Sequence, residues 1–343
     1  MSIRRPCVLF VLSVFASLAF AGTAPSPTLG VNARVPVVFV TDIGSDIDDT
    51  WALAQILRTP ELDLKFVLTE TGEARYRAAF VTKLLEIAAR TDVPVGLGRD
   101  FGPMAEEHRH QGPWLRGYEL ARFPGTLHED GIGAFIELVM QSPQPLTVIA
   151  VGPVPSLAAA LAREPGIAAR CRFVGMFGSF HVGYDGAPKP VPEYNVYANV
   201  PALRAVLAAP WQDILITPLD TCGTAVIGGE NYHRLWSATA DPVLRAVIEN
   251  YCAFAARVPW MHCDFFATRT TVLFDSVAVH LAVSEEFVEI EPVAFRIEDN
   301  GATVPDAAGP FRARVALRWT NLPGFADQLT ARLLAAPPAA PRH

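Results

Sequence analysis

Short apolar runs rich in β-branched residues recur along the chain, and longer stretches rich in alanine and leucine separate them. A short apolar run bounded by turn residues is typical of a buried strand, whereas the longer stretches are typical of helices. The predicted strands are residues 37–40, 65–69, 93–97, 146–151, 172–176 and 214–217. Each except the last is followed within a modest distance by a helical pattern. This alternation predicts an α/β fold, with a mostly parallel central sheet, helices on both faces and an open, doubly wound arrangement.

The C-terminal part of the chain shows a different pattern. Residues 288–297 and 312–319 predict a closing, hairpin-like pair of strands, and a helix is predicted over residues 324–335. Residues 336–343 form a tail rich in proline and alanine. Because no linker, repeat or charge block divides the chain, we predict a single domain over residues 35–335.

The first 21 residues have the pattern of a secretory signal peptide. Arg4 and Arg5 precede an apolar run that ends in Ala19-Phe20-Ala21, a small-x-small cleavage pattern. The apolar run is short for a membrane span. We therefore expect cleavage after residue 21 and a periplasmic or secreted protein without membrane attachment.

Composition narrows the range of partners. Removing residues 1–21 takes away two arginines and changes the net charge from −7 to −9. An acidic surface disfavours a nucleic-acid polymer as partner. An oxidising compartment would allow the remaining cysteines to pair, in one of three ways, and their spacing matches no zinc pattern. These cysteines are Cys171, Cys222, Cys252 and Cys263.

The stretch VVFVTDIGSDIDDTWAL, residues 37–53, joins an apolar strand directly to a group of carboxylates and then to a helix. Packing several anions together costs roughly several kcal/mol unless a cation joins them, and no Lys or Arg occurs between Arg34 and Arg58. Oxygen ligands without Cys or His favour Ca²⁺ or Mg²⁺ over zinc. The alternative is that Asp48 or Asp49 caps the helix and the other carboxylates are solvated. The four carboxylates are Asp42, Asp46, Asp48 and Asp49.

This stretch resembles the signature of the inosine-uridine-preferring nucleoside hydrolase family, in which an aspartate, a Pro-Gly turn and an Asp-Asp pair precede an Ala/Leu-rich helix. When Asp42 is matched to the first aspartate, the turn has two residues more than the commonest form, which leaves the role of Asp46 open. Haloacid-dehalogenase phosphotransferases also place Asp-x-Asp at a strand end, but Asp42-Ile43-Gly44 lacks the second aspartate. The resemblance covers about residues 35–335.

The resemblance implies a calcium site built from distant segments. Asp42, Asp49 and Asp275 would supply carboxylates, and Val151 would supply its backbone carbonyl, because Val151-Gly152-Pro153 matches a family Thr-Gly-Pro turn. Asp275 lies between apolar residues at helical spacing, so its carboxylate faces either a metal or an unexplained burial cost. Asp42 is also the implied catalytic base for the attacking water.

The resemblance also implies substrate contacts. Asp48 would contact the sugar, and Glu193-Tyr194-Asn195 resembles a family Glu-x-Asn that binds ribose hydroxyls, since Glu with Asn supplies both acceptors and a donor. Glu73 stands where the family has an asparagine facing the sugar, with a helix N-terminal glutamate as the alternative. The loop-rich segment 98–133 is typical of the rim or lid of a site.

Phe274 is a departure from the family pattern. The pyrimidine-hydrolysing members have a histidine before the last aspartate, and this histidine is the leaving-group acid. Phe274 implies another acid, aromatic stacking on the leaving group by Phe274 or Trp260, or a leaving group that needs little help. We therefore count Phe274 among the substrate-binding residues.

The resemblance implies a calcium-dependent N-ribosyl hydrolase that cleaves the N-glycosidic bond of a nucleoside or related ribosyl compound. Family members assemble as dimers or tetramers, so a homo-oligomer is an expectation. Phe274 and Glu73 motivate an alternative, a calcium-dependent ribosyl- or sugar-binding protein without turnover. A metal-stabilised structural protein without a small-molecule pocket is a third interpretation.

Overall fold

The computed structural model of the protein describes residues 34–258 and 267–336. The predicted signal peptide, Trp260, Cys263 and the tail from residue 337 lie outside the described residues. Within the described ranges, no helix combines the length and the apolar character needed to cross a membrane.

The described strands form one sheet, in the order β4-β3-β2-β1-β5-β6-β7-β10-β8-β9. Neighbouring strands are parallel from β4 to β10, and only the pairs β10–β8 and β8–β9 are antiparallel. The strands are β1 (Val35–Thr41), β2 (Leu62–Thr69), β3 (Val95–Gly96), β4 (Leu127–His128), β5 (Leu146–Ala150), β6 (Cys171–Met176), β7 (Ile214–Thr217), β8 (Val288–Ile297), β9 (Thr303–Pro305) and β10 (Phe311–Trp319).

Helices cover both faces of the sheet. β1 shows this directly, because Val37 and Phe39 belong to one buried cluster and Val38 and Val40 belong to another. A strand that is buried on both faces requires an unbroken apolar run, which is what the sequence contains. The helices are α1 (Asp48–Arg58), α2 (Ala74–Ile87), α3 (Gly131–Gln141), α4 (Pro155–Arg163), α5 (Tyr194–Tyr197), α6 (Val200–Leu207), α7 (Leu219–Cys222), α8 (Gly229–Ser237), α9 (Pro242–Ala255), α10 (Phe274–Leu281) and α11 (Leu322–Leu334).

The predicted α/β fold is confirmed, with differences at particular elements. β4 and β9 have no counterpart among the predicted strands, because strands of two and three residues carry too little apolar pattern to be distinguished from loops. β8 and β10 pair antiparallel as predicted, but β9 lies between them in sequence and flanks β8. They are therefore not a simple hairpin, and β10 joins the sheet by parallel pairing with β7.

The topology creates a crevice at one edge of the sheet. β1 lies between β2 and β5, so the strand order reverses there. In open α/β sheets, ligands bind beyond the carboxyl ends of the strands at such a switch point. The residues directly after β1, β5 and β6 are therefore placed together by the topology.

Of the four cysteines that follow the predicted signal peptide, three fall within the described residues. Cys171, Cys222 and Cys252 carry free thiols, and the first two are buried. Disulfide pairing among these three, which the sequence left open, is therefore absent.

Candidate functional site

A cavity of about 120 Å³ opens beyond the carboxyl ends of β1, β5 and β6. Every site residue predicted from the sequence lines it, with the exception of Glu73: Asp42, Asp48, Asp49, Val151, Glu193, Asn195, Phe274 and Asp275. Asp46, whose role the sequence left open, also lines it. Further lining residues that sequence reasoning did not single out are Ser45, Met176, Tyr184 and Tyr194.

The acidic turn after β1 has a defined backbone. Gly44 has φ +109°, and a Cβ there would lie 2.9 Å from the ring of Phe80, so both conformation and space require glycine. The N-cap of α1 is Ile47, without a side-chain cap. Asp48 and Asp49 instead form the first turn of α1 and are buried. The alternative in which one of them only caps the helix is therefore not what the structure shows.

Asp42 lies between an arginine and a tight turn. Arg77 Nη2 is 3.7 Å from Asp42 Oδ2, and Arg77 Nη1 donates to the Ile43 carbonyl at 2.9 Å. On the other side, a Cβ at Gly152 would lie 2.5 Å from Asp42 Oδ1. Burial raises the pKa of Asp42, and the charge of Arg77 opposes this shift. The sequence motif contained no sign of Arg77, because this cation arrives from α2 through the fold.

Asp48, Asp49 and Asp275 form a compact carboxylate cluster. Each offers an oxygen, and these oxygens lie within 4.8 Å of one another. Burial, followed by repulsion from the neighbouring carboxylates, raises the pKa of Asp48 and Asp275 well above the usual value, and burial does the same for Asp49. The predicted metal set contained Asp42 where this cluster contains Asp48. Asp42 borders the same cavity.

Asp275 reaches the cluster because α10 packs beside α1. Gln55 of α1 donates from Nε2 to the Ser276 carbonyl at 3.1 Å, which fixes the start of α10. Asp275 Oδ2 is buried and has no hydrogen-bond partner among the described residues. Asp49, in contrast, accepts a hydrogen bond from the Thr41 hydroxyl. A buried carboxylate oxygen without a donor is costly unless a cation lies beside it.

Glu193 and Asn195 fix the side of the cavity next to β5 and β6. Asn195 Nδ2 donates at 3.1 Å to the carbonyls of both Val151 and Met176. Glu193 accepts backbone N–H groups of Gly178 at 3.0 Å and of Asn195 at 2.7 Å. Burial raises the pKa of Glu193 to about 7. A carbonyl oxygen has two lone pairs, so the Val151 oxygen keeps acceptor capacity after its bond with Asn195.

Aromatic side chains form another part of the wall. Tyr184 and Phe274 pack edge to face, with ring centroids 6.0 Å apart and an interplanar angle of 85°. The Tyr184 hydroxyl accepts the backbone N–H of Tyr194 at 2.9 Å. Flat, apolar ring systems pack favourably on such side chains. Tyr194 lies inside the Glu-x-Asn motif and was within reach of sequence reasoning, whereas no motif pointed to Tyr184.

Glu73 is placed elsewhere. It stands at the N-cap of α2, and its carboxylate pairs with Arg109 and accepts the backbone N–H of Met104 at 3.0 Å. The structure therefore brings Glu73 to the segment predicted as a rim, residues 98–133, and not to the cavity. This placement agrees with the structural alternative that the sequence offered for Glu73.

Comparison with known proteins gives a consistent result. The model of the family described as inosine-uridine preferring nucleoside hydrolase matches residues 37–326. The non-specific ribonucleoside hydrolase RihC of Escherichia coli is 26% identical, over 89% of this chain and 100% of its own length. The pyrimidine-specific ribonucleoside hydrolase RihA of Citrobacter koseri is 28% identical, over 63% of this chain and 69% of its own length. A solved plant nucleoside hydrolase has a TM-score of 0.72 at 21% identity, covering 88% of this chain and all of that structure, which shows a shared fold.

Proposed function

Because this chain belongs to the inosine-uridine preferring nucleoside hydrolase family and is a nucleosidase, we propose that it is a calcium-dependent N-ribosyl hydrolase. Its substrate would be a nucleoside or a related ribosyl compound. The reaction would add water across the N-glycosidic bond and release ribose and the free base.

The observation that carries the calcium dependence is the orphaned oxygen of Asp275. Three buried carboxylates lie within 4.8 Å of one another, and Asp275 Oδ2 has no donor among the described residues. Hard, all-oxygen ligands of this kind suit Ca²⁺. We assign the cation to Asp49, Asp275, Asp42 and the Val151 carbonyl, with Asp48 between the cation and the sugar hydroxyls.

A bound divalent cation supplies positive charge that lowers the pKa of water in the site. Asp42 accepts the proton of the attacking water, because it borders the cavity and Arg77 holds it in place. Glu193 and Asn195 orient the ribose. The carboxylates of the cavity favour the positive charge that develops on the sugar as the bond to the base breaks.

Departure of the base would take place against the aromatic wall. Phe274 and Tyr184 are fixed against each other, and both line the cavity. Stacking on these rings positions a flat leaving group without a histidine at residue 274. The base takes its proton from solvent or from a group outside this wall.

The test is ribose release from inosine, adenosine, uridine and cytidine by the purified mature chain. We expect release in Ca²⁺, loss after chelation and recovery when Ca²⁺ is restored. The variant Asp275→Asn should lose activity at a calcium concentration that saturates the wild type. If none of the four nucleosides yields ribose while calorimetry shows bound Ca²⁺, the hydrolase proposal fails.

We also propose export of the protein. The support is the N-terminal pattern of Arg4 and Arg5, an apolar run and a small-x-small cleavage site. The check is N-terminal sequencing of the protein recovered from the periplasm or medium. A mature N-terminus close to Gly22 is expected, and an intact Met1 in the cytosolic fraction would contradict export.

A further inference from the structure

A second cavity, separate from the acidic one, is lined by arginines. Its volume is about 390 Å³, and Arg109, Arg116 and Arg257 line it together with Tyr76 and Glu106. The proposed hydrolysis gives these arginines no role. Three guanidinium groups line this one cavity although the net charge of the chain is −7.

These guanidinium groups offer more donors than their neighbours accept. Arg109 donates to the Met104 carbonyl at 3.1 Å, pairs with Glu73 and lies 4.6 Å above the ring of Tyr76. Stacking and pairing hold it in one orientation. A guanidinium has five N–H donors, so several donors of Arg109 stay available to a ligand.

Arg257 and Arg116 add to this surplus. Arg257 Nη2 donates to Glu106 Oε1 at 2.7 Å and to the Glu106 carbonyl at 3.2 Å, which leaves its Nη1 without an acceptor among the described residues. Arg116 is exposed and makes no ion pair with any described residue. The two nearby carboxylates, Glu73 and Glu106, therefore leave one positive charge in excess.

The arginine cavity and the acidic cavity flank the same turn. Tyr76 lines the arginine cavity, and its hydroxyl donates to the Gly44 carbonyl at 3.0 Å. Ser45, which follows Gly44 in the turn, lines the acidic cavity. An anion is repelled from the carboxylates on one side of the turn and attracted to the guanidinium groups on the other.

We propose that the arginine cavity binds a phosphate group, either as free phosphate or as the phosphate of a ribosyl phosphate. Guanidinium forks match the oxygens of phosphate and form short, charge-assisted hydrogen bonds with them. This site is distinct from the site of hydrolysis, and its occupation requires no turnover.

The test is calorimetric titration of the full mature chain with inorganic phosphate and, separately, with ribose 5-phosphate. We expect saturable binding of at least one of them, weakened by added salt because the attraction is electrostatic. Equal affinity for both ligands identifies free phosphate as sufficient, and tighter binding of ribose 5-phosphate identifies the ribosyl phosphate. Each titration is done with stoichiometric calcium and again after calcium removal. Binding that vanishes with calcium would place the phosphate at the acidic cavity and overturn the proposal.

Matched variants locate the ligand. Arg116→Gln and Arg257→Gln each remove one charged fork, and each should weaken phosphate binding by about tenfold, the scale of a lost charge-assisted hydrogen bond. Arg122→Gln is the control, because Arg122 belongs to the same segment, is 79% exposed and pairs with Glu119 outside the cavity. It should bind phosphate as the wild type does. Absence of saturable binding by the wild type, or equal effects of Arg116→Gln and Arg122→Gln, would overturn the proposal.

Discussion

At the scale of single residues, the acidic cavity combines a carboxylate oxygen that lacks a donor with a carboxylate that is tightly enclosed. Asp275 Oδ2 is buried and unpartnered within the described residues, and Asp42 is pressed against Gly152. The role of Asp275 depends on its charge, whereas the position of Asp42 depends on the space left by Gly152. Substitutions that change only charge or only shape can therefore separate cation binding from catalytic geometry.

Asp275→Asn keeps the volume of the side chain but removes a negative charge. We expect Ca²⁺ to bind at least about tenfold more weakly, on the scale seen when groups around a metal site are altered. The Tm in Ca²⁺ should fall, because less binding energy stabilises the folded state. Without Ca²⁺ the Tm should stay the same or rise, since repulsion within the cluster is relieved. Calorimetry and thermal unfolding measure these effects.

Asp46→Asn is the matched control for this prediction. Asp46 lines the same cavity but does not belong to the cluster of Asp48, Asp49 and Asp275. Its Oδ1 accepts the Ile47 N–H at 2.6 Å, a bond that an asparagine oxygen can retain. Calcium affinity should therefore change much less in Asp46→Asn than in Asp275→Asn. Equal losses would show that affinity follows the total charge of the cavity and not the cluster.

Gly152→Ala tests the shape of the site. The added Cβ would lie 2.5 Å from Asp42 Oδ1, so the carboxylate must move. Misplacing a catalytic group by about 1 Å can lower a reaction rate about a hundredfold. We therefore expect a large fall in kcat with an unchanged circular dichroism spectrum. Gly228→Ala is the control, because its Cβ would lie 3.6 Å from the nearest atom, an ordinary contact. Wild-type kcat in Gly152→Ala would mean that Asp42 need not be held where the structure places it.

At the scale of elements, a buried carboxylate joins the end of β2 to the start of α4. Glu70 follows β2, and its carboxylate accepts the backbone N–H groups of Ser156 at 2.8 Å and Leu157 at 2.9 Å. These N–H groups belong to the first turn of α4, where a helix has no internal acceptors for them. α4 directly follows the Val151-Gly152-Pro153 turn, so Glu70 also fixes one wall of the cavity.

Glu70→Gln should change how stability depends on pH. Burial raises the pKa of Glu70 to about 8 in the fold, from an ordinary value of 4.5. Between these values the folded state holds a proton that the unfolded state has lost, so the free energy of unfolding falls as pH rises and levels off above about 8. Glutamine does not titrate and lacks this contribution.

The measurement is urea unfolding of wild type and Glu70→Gln, in saturating Ca²⁺, at several pH values across this window. The stability of the wild type relative to the variant should decrease steadily from low to high pH. Because the other titrating groups are common to both proteins, the difference isolates Glu70. Parallel stability curves would show that Glu70 keeps its ordinary pKa in the fold.

At the scale of the whole molecule, the carboxylate cluster sets how stability responds to pH. Without calcium, burial and mutual repulsion raise the pKa values of Asp48, Asp49 and Asp275 well above the ordinary value of 3.8. The folded state then holds more protons than the unfolded state, so stability falls as pH rises from this value. Bound calcium keeps these carboxylates ionised in the folded state, so above the ordinary pKa they no longer make stability fall as pH rises.

The expected outcome is that the carboxylate cluster lowers the Tm of calcium-free protein as pH rises, and that this effect is lost in calcium-loaded protein. From about pH 5 to 8, the Tm of calcium-free protein should fall relative to its value at pH 5, and the stabilisation by saturating Ca²⁺ should grow. Differential scanning calorimetry on dialysed and calcium-loaded protein measures both. A calcium-induced shift in Tm that does not depend on pH would contradict ionisation of the cluster on binding.

The sequence by itself determined the type of fold, because strands buried on both faces must be continuous apolar runs and the helices between them must be amphipathic. The acidic turn after β1 follows from the rule that residues beyond the ends of parallel strands meet at one edge of the sheet. The other residues of the acidic cavity were indicated by the resemblance of their segments to family motifs, namely Val151, Glu193, Asn195, Phe274 and Asp275. The short strands β4 and β9 could not be predicted from the sequence, because two or three residues are too few to show a hydrophobic periodicity.

Tertiary structure alone decided the contacts between segments that are far apart in sequence. Arg77 reaches Asp42 from α2, although the acidic turn has no basic residue near it in sequence. Glu73 pairs with Arg109 across the loop and not with the cavity, and Asp48 joins Asp275 across 227 positions of chain. Such partners depend on side-chain direction and on helix packing, which the local pattern of polar and apolar residues does not specify. The sequence therefore shows which side chains can bind a cation or a sugar, whereas only the folded structure determines which charged groups lie beside one another.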